Sequence, residues 1–375
     1  MKAPRLLIFA AIALITRMGA ALAADGSAGS SPGAAPQTSD VTTVLNEETA
    51  IYLGLGGLNG PGKVVQLDWK AGVLGAIEMP AIARSIACWK DEVIVCVGNG
   101  RPAVFIDRDG GVGTLFSARD YVKGLMAELY QVAVHPKTGD LVFAGFSARK
   151  VRANEWNVAI IIVPAGAREK PRMIFHNANA TTPPATAPDF PCIRSMAITP
   201  GGQMLLGAGV FNGPRDAVYR FPFGEDVVFD KAFMPEAGRI VADPSSDRWA
   251  ALDSAAFSTA KIRLYQDAKQ VRTLSTVLPS RVQSAIIAFA PDGSLIYACD
   301  VLQEAKEPAA EKQLHAIGLY SVNIDTGSFR KFAEYLHESP TRRFYETGLQ
   351  ALAIGRKLPW HVAESKPAGG VEEKK

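Results

Sequence analysis

Repeated strand–turn–strand units, turn signals at regular long spacing and an unpaired strand near each end of the repeat predict an all-β chain folded as a β-propeller. The clearest unit is Val282–Asp300, VQSAIIAFAPDGSLIYACD: an apolar run, the turn Pro291-Asp292-Gly293-Ser294, then a second apolar run. Turn centres fall near positions 91, 139, 202, 246, 293 and 356, roughly 44 to 64 residues apart and near the length of one blade. Runs such as SAIIAF are continuously apolar, as strands covered on both faces are. No long helical period interrupts them.

Residues 1–23 read as a secretory signal. Lys2 and Arg5 make a positive start, Leu6–Ile15 is apolar but too short to span a bilayer, and Ala21-Leu22-Ala23 fits a cleavage site. Arg17 interrupts the pattern, and an uncleaved anchor is the alternative. Residues 24–40, rich in Gly, Ser, Ala and Pro, have almost nothing to bury and read as a disordered linker. The tail 364–375 reads the same way, which leaves 41–363 for the propeller domain. Residues 1–23 hold three basic residues and no acid, so the remainder balances 37 basic against 37 acidic residues. That balance argues against a nucleic-acid partner. The signal implies a periplasmic or secreted protein with no membrane span once it is removed.

The blades follow in order. Ala50–Gly57 opens the first without an inner partner. Arg84–Ile106, Gln131–Phe146, Ile193–Val210, Arg239–Asp253 and Val282–Asp300 each give a strand pair, and Leu349–Ile354 gives one more inner strand. Third strands with polar ends follow each pair, among them Gly62–Trp69, Asn157–Val163 and Gly318–Ile324, and Leu74–Met79 is an example of a fourth. Arg119–Glu128 reads as a short helix. The simplest closure lays the C-terminal strand against the first blade, giving six blades. Strand-like leftovers at 41–46 and 358–364 keep seven open.

Cys88, Cys96, Cys192 and Cys299 allow three disulfide pairings in an oxidising compartment. Cys88 and Cys96 lie on successive strands of one unit. The alternative is that they are thiols packed as small apolar groups.

The units APDGSLIYACD and HPKTGDLVFAGF resemble blades of the six-bladed propeller group that includes NHL-repeat, TolB-like and gluconolactonase-like proteins. The resemblance spans most of the folded chain and implies architecture. It implies no single activity, because such propellers host binders, scaffolds and enzymes.

Turns between first and second strands are short, whereas the connections at the opposite end are long: 146–156, 176–192, 300–315 and 336–347. Long loops on a rigid scaffold are where binding concentrates. Arg149, Arg152, Trp156, Arg342, Arg343 and Phe344 fall there, and arginine with aromatics is the usual anchor chemistry of a binding surface for a protein or small-molecule ligand. The leading expectation is therefore a binding scaffold.

The gluconolactonase resemblance implies a divalent cation in the central channel. Asp253 and Asp300 follow the second strands of two blades, and Asn99 and Asn212 hold comparable places in two others, an oxygen-rich set suited to a hard cation. A metal-dependent, lactonase-like hydrolase is thus one alternative. The channel-side strand starts Ser85, Gln131, Ser195 and Gln350 supply no carboxylate to it. A quinone-dependent dehydrogenase is a second alternative, by analogy of fold. His176, His315 and His337 lie in or beside the long loops, where a converging pair can act as general base, while His135 reads as a solvated turn residue. Gly29–Gly33 fits a nucleophile-elbow pattern but lies in the linker, and Asp107-Arg108-Asp109-Gly110 reads as a hairpin turn, because position 118 is Ala where a calcium loop needs Glu.

Overall fold

A computed structural model of the chain describes residues 47–57, 60–117, 127–148, 156–177, 192–209, 216–227, 232–237, 239–256, 259–277, 282–303, 313–339 and 348–360. All the described residues belong to one compact unit.

The described chain is a six-bladed propeller of four-stranded antiparallel sheets. The first blade uses β1 (Thr49–Gly56), β2 (Gly62–Leu67) and β3 (Val73–Met79). The second holds β4 (Ala83–Trp89), β5 (Glu92–Val97), β6 (Ala103–Ile106) and β7 (Val112–Phe116). The third holds β8 (Ala127–Val134), β9 (Leu141–Ala148), β10 (Trp156–Val163) and β11 (Arg172–Asn177). The fourth holds β12 (Cys192–Ile198), β13 (Gln203–Gly209), β14 (Asp216–Pro222) and β15 (Met234–Ala237). The fifth holds β16 (Arg239–Ala242), β17 (Arg248–Ala256), β18 (Thr259–Gln266) and β19 (Lys269–Val277). The sixth holds β20 (Val282–Phe289), β21 (Leu295–Leu302), β22 (Gln313–Val322) and β23 (Phe329–Ser339). The last strand, β24 (Leu349–Arg356), pairs antiparallel with β1 and becomes the inner strand of the first blade.

The apolar runs are explained by what lies between the blades. In β1, Ala50 and Tyr52 join the cluster shared with the second blade, while Ile51, Leu53 and Leu55 join the cluster shared with the sixth. Successive side chains point to opposite faces, and each face meets a neighbouring sheet. Apolar clusters fill all six gaps, so the ring has no bare end sheet.

Closure goes beyond the β1–β24 ladder. The buried Gln66 amide donates to the Leu358 carbonyl at 2.9 Å and accepts from the Leu358 N–H at 2.8 Å. Trp360 packs edge-on to Tyr52 and donates its indole N–H to the Asp107 carbonyl in the second blade. Residues 358–360 therefore pack into the first blade pair and add no strand of a seventh blade.

Cys88 packs in the gap between blades one and two and Cys96 in the gap between two and three, on opposite faces of one sheet. Both are free thiols, as is Cys299. Burial pushes the Cys88 thiol up to about 12 and the Cys299 thiol up to about 11. Two local expectations are corrected. Ala127 and Glu128 belong to β8, so the short-helix reading fails at that end, and residues 119–126 lie outside the described set. His135 is buried, not solvated: its Nδ1 accepts the Lys137 and Thr138 N–H groups and its ring meets Phe223 edge-on.

Candidate functional site

Antiparallel order sends the connections alternately to the two ends of each blade. One end carries the first-to-second-strand turns 90–91, 135–140, 199–202, 243–247 and 290–294, and the longer 223–233. The same end carries third-to-fourth-strand turns that are tied locally: the Asp107 carboxylate accepts the Asp109 and Gly111 N–H groups, and Asp68 and Asn323 cap their turns in the same way. The other end carries the connections 117–126, 149–155, 178–191, 303–312 and 340–348, together with the starts of the inner strands around the channel.

Those inner strands share a local irregularity. A β-bulge inserts an extra residue at Arg84 in β4, Tyr130 in β8, Arg194 in β12, Gln283 in β20 and Gln350 in β24. The sixth inner strand, β16, begins at Arg239. At each bulge where both neighbours are described, the inserted residue is more accessible than at least one of them: Arg194 is exposed between buried Ile193 and Ser195, and Arg84 is half-buried between buried Ala83 and Ser85. A bulge re-aims a side chain out of the alternation. On an innermost strand the open side is the channel axis. The inner strands thus carry at this end, in blade order, Gln350, Arg84, Tyr130, Arg194, Arg239 and Gln283. Arg239 donates to the Gln350 carbonyl at 3.0 Å, reaching from the fifth blade past the sixth to the first. Burial lowers its guanidinium to about 10, so it stays charged at neutral pH. The Arg84 guanidinium lies 4.8 Å from the Tyr130 ring centroid.

Beside this ring, between blades six and one, lies a buried polar cluster. The Asp300 carboxylate meets His315 Nδ1 at 3.0 Å and accepts the Leu349 N–H at 2.9 Å. Both Asp300 and His315 are fully buried. His337 stands opposite His315 on β23, ring centroids 6.0 Å apart, and lines a cavity of about 190 Å³ with Lys63, Glu78 and the Gly56–Gly57 segment. Among the described residues, His315 Nε2 and His337 Nδ1 have no hydrogen-bond partner. Burial, then Lys63 and His315, hold the His337 imidazole down to about 4, so it is neutral.

The residues singled out in the sequence are distributed as follows. Arg149, Arg152, Arg342, Arg343, Phe344 and Asn212 lie outside the described residues. Trp156 is described in its backbone alone, opposite Ala148 at the start of β10. Asn99 sits in the turn after β5 with a positive φ of 61°. Asp253 pairs with Arg263 at 3.0 Å, and Asp300 is taken up by His315 and Leu349. Among the described residues no group of three His, Cys, Asp or Glu side chains is placed to hold a metal ion. His315 and His337 do converge, whereas the His176 side chain and His361 are outside the described set. The arginines of the mouth escape a sequence reading because alternation points to Ser85, Gln131 and Ser195, each one residue past its bulge.

No family model matches the chain, and no curated protein matches it. Among solved structures it is similar to a protein assigned as TolB from Agrobacterium tumefaciens, with 10% identity, 83% of this chain and 98% of that one covered, and a TM-score of 0.47. It is also similar to a gluconolactonase from Xanthomonas campestris, with 12% identity, 68% and 84% covered, and a TM-score of 0.44. A third is hydrazine synthase from Kuenenia stuttgartiensis, with 12% identity, 71% and 68% covered, and a TM-score of 0.39. Likeness at this level concerns fold alone. Among the described residues no helix is long and apolar enough to cross a membrane.

Proposed function

We propose that the chain is an exported propeller that binds a ligand or protein partner through the face carrying its long connections. The observation that supports this reading is the asymmetry between the two ends. Short turns capped by their own side chains close one end, while the strand ends joined by the long connections lie at the other. A rigid ring presenting variable loops is a scaffold for recognition. On this reading Arg149, Arg152 and Trp156 in one connection, and Arg342, Arg343 and Phe344 in another, are the anchors. The export signal read in residues 1–23 places the working protein in the periplasm or outside the cell.

The test is capture of partners by the full chain and by Arg149→Ala and Arg342→Ala variants. Loss of a partner bound by the parent chain is the expected result. An unchanged set of partners in both variants overturns the reading.

A further inference from the structure

We propose that the channel mouth is a binding site for a compact oxyanion, carboxylate or phosphate, gripped by the guanidinium groups of Arg84, Arg194 and Arg239. The proposal rests on the reading that the long-connection face is the binding face, and it names the chemistry of what is bound there.

The first support is how the arginines arrive. A bulge interrupts the ladder and sets one residue out of register, yet five of the six inner strands carry one at the same end. Two of the five deliver Arg84 and Arg194, and the strand without a bulge starts with Arg239. Three cations from three different blades thus stand at the same end of the innermost strands. The other three positions, Tyr130, Gln283 and Gln350, add neutral hydrogen-bonding groups and no acid.

The second support is the state of Arg239. Arg168, Arg172, Arg248, Arg263 and Arg356 each sit on a carboxylate. Arg239 instead donates to the neutral Gln350 carbonyl. A guanidinium has five donors, and this bond uses one of them. Removing a cation from water is unfavourable unless charge or hydrogen bonds replace the water. An oxyanion at the mouth supplies both, and the planar fork of arginine matches carboxylate and phosphate oxygens two at a time.

Size is set by the same contact. One arginine side chain reaches from the fifth blade to the first, a span that suits a compact ion. The stacking of Arg84 on Tyr130 fixes one wall.

The test is calorimetric titration of the full chain, at low ionic strength, with citrate and with pyrophosphate. Saturable binding of at least one is expected. Arg194→Met and Arg239→Met should each weaken it by about tenfold or more, the effect of losing a charge-assisted hydrogen bond. Arg272→Met, on the fourth strand of the fifth blade, should leave it unchanged. Citrate alone binding identifies a carboxylate ligand, and pyrophosphate alone a phosphate ligand. Should Arg239→Met fail to fold, Arg194→Met decides, because Arg194 is an exposed residue. No saturable binding of either probe, or equal affinity in Arg194→Met, overturns the proposal. Partner capture that survives such a result leaves the binding face intact and removes only the anion. Anion binding without capture does the reverse.

Discussion

The backbone N–H of Leu349 donates to the buried Asp300 carboxylate at 2.9 Å, so the strand that completes the first blade is also tied to the sixth. Ser284 adds a second tie by donating to the Leu349 carbonyl at 2.8 Å. Gly348, at a φ of +91°, lies against the same carboxylate, and a Cβ there would overlap Asp300 Oδ2. Asp300 therefore acts as a latch at the point where the ring closes.

Asp300→Ala should lower the unfolding free energy by about 3 kcal/mol, because it leaves the Leu349 N–H and His315 Nδ1 buried without their acceptor. Gly348→Ala should also destabilise, through overlap and a backbone conformation that alanine disfavours. Urea unfolding followed by tryptophan fluorescence measures both. Parent-like midpoints would show that the latch carries no weight.

Trp360→Ala should cost about 3–5 kcal/mol, the usual range for removing a buried indole. Gln66→Leu should also destabilise, since it strands both backbone groups of Leu358. A thermal melt that moves by less than a degree or two in both variants would contradict the packing of residues 358–360.

Acid should weaken the protein through His337. Its folded pKa near 4 lies below the ordinary 6.5, so as pH falls the unfolded chain takes up the proton first. The contribution is complete above pH 6.5 and is lost between 6.5 and about 4, at no more than about 1.4 kcal/mol per pH unit. His337→Asn removes the titration, so its stability should fall less steeply than that of the parent across this window. Identical slopes would place the imidazole in solvent.

The thiols should be silent in the native state. In a Cys192→Ser background, a thiol reagent at pH 8 should find none in the folded chain and three, Cys88, Cys96 and Cys299, after denaturation. Fewer than three in denaturant without reductant would reveal a disulfide.

Architecture was legible because each blade repeats the same local chemistry. Apolar runs with a turn such as APDGS state strand, turn and strand, and an inner strand without a blade behind it at Leu349 states how the ring closes. The channel mouth was less legible. Bulges at Arg84, Tyr130 and Arg194 shift the alternation by one residue, and nothing in a stretch such as IARSIAC announces the extra position. The Asp300–His315 contact joins residues across β21 and β22, separated by the connection 303–312, so only the sheet register brings them together. His135 misled for a related reason. Its turn is short, but Phe223 from the next blade covers it.

Tyr52 and Arg356 touch across 304 positions of sequence, which sets an order of events during synthesis. The first sheet waits for the last segment to be made, and until then two apolar flanks stay open to misassembly. A ribosome that stops before Leu349 releases a chain with an unfilled seat beside β1. Such a product is open to degradation, and supplying the missing piece as a separate peptide is a route to rescuing it.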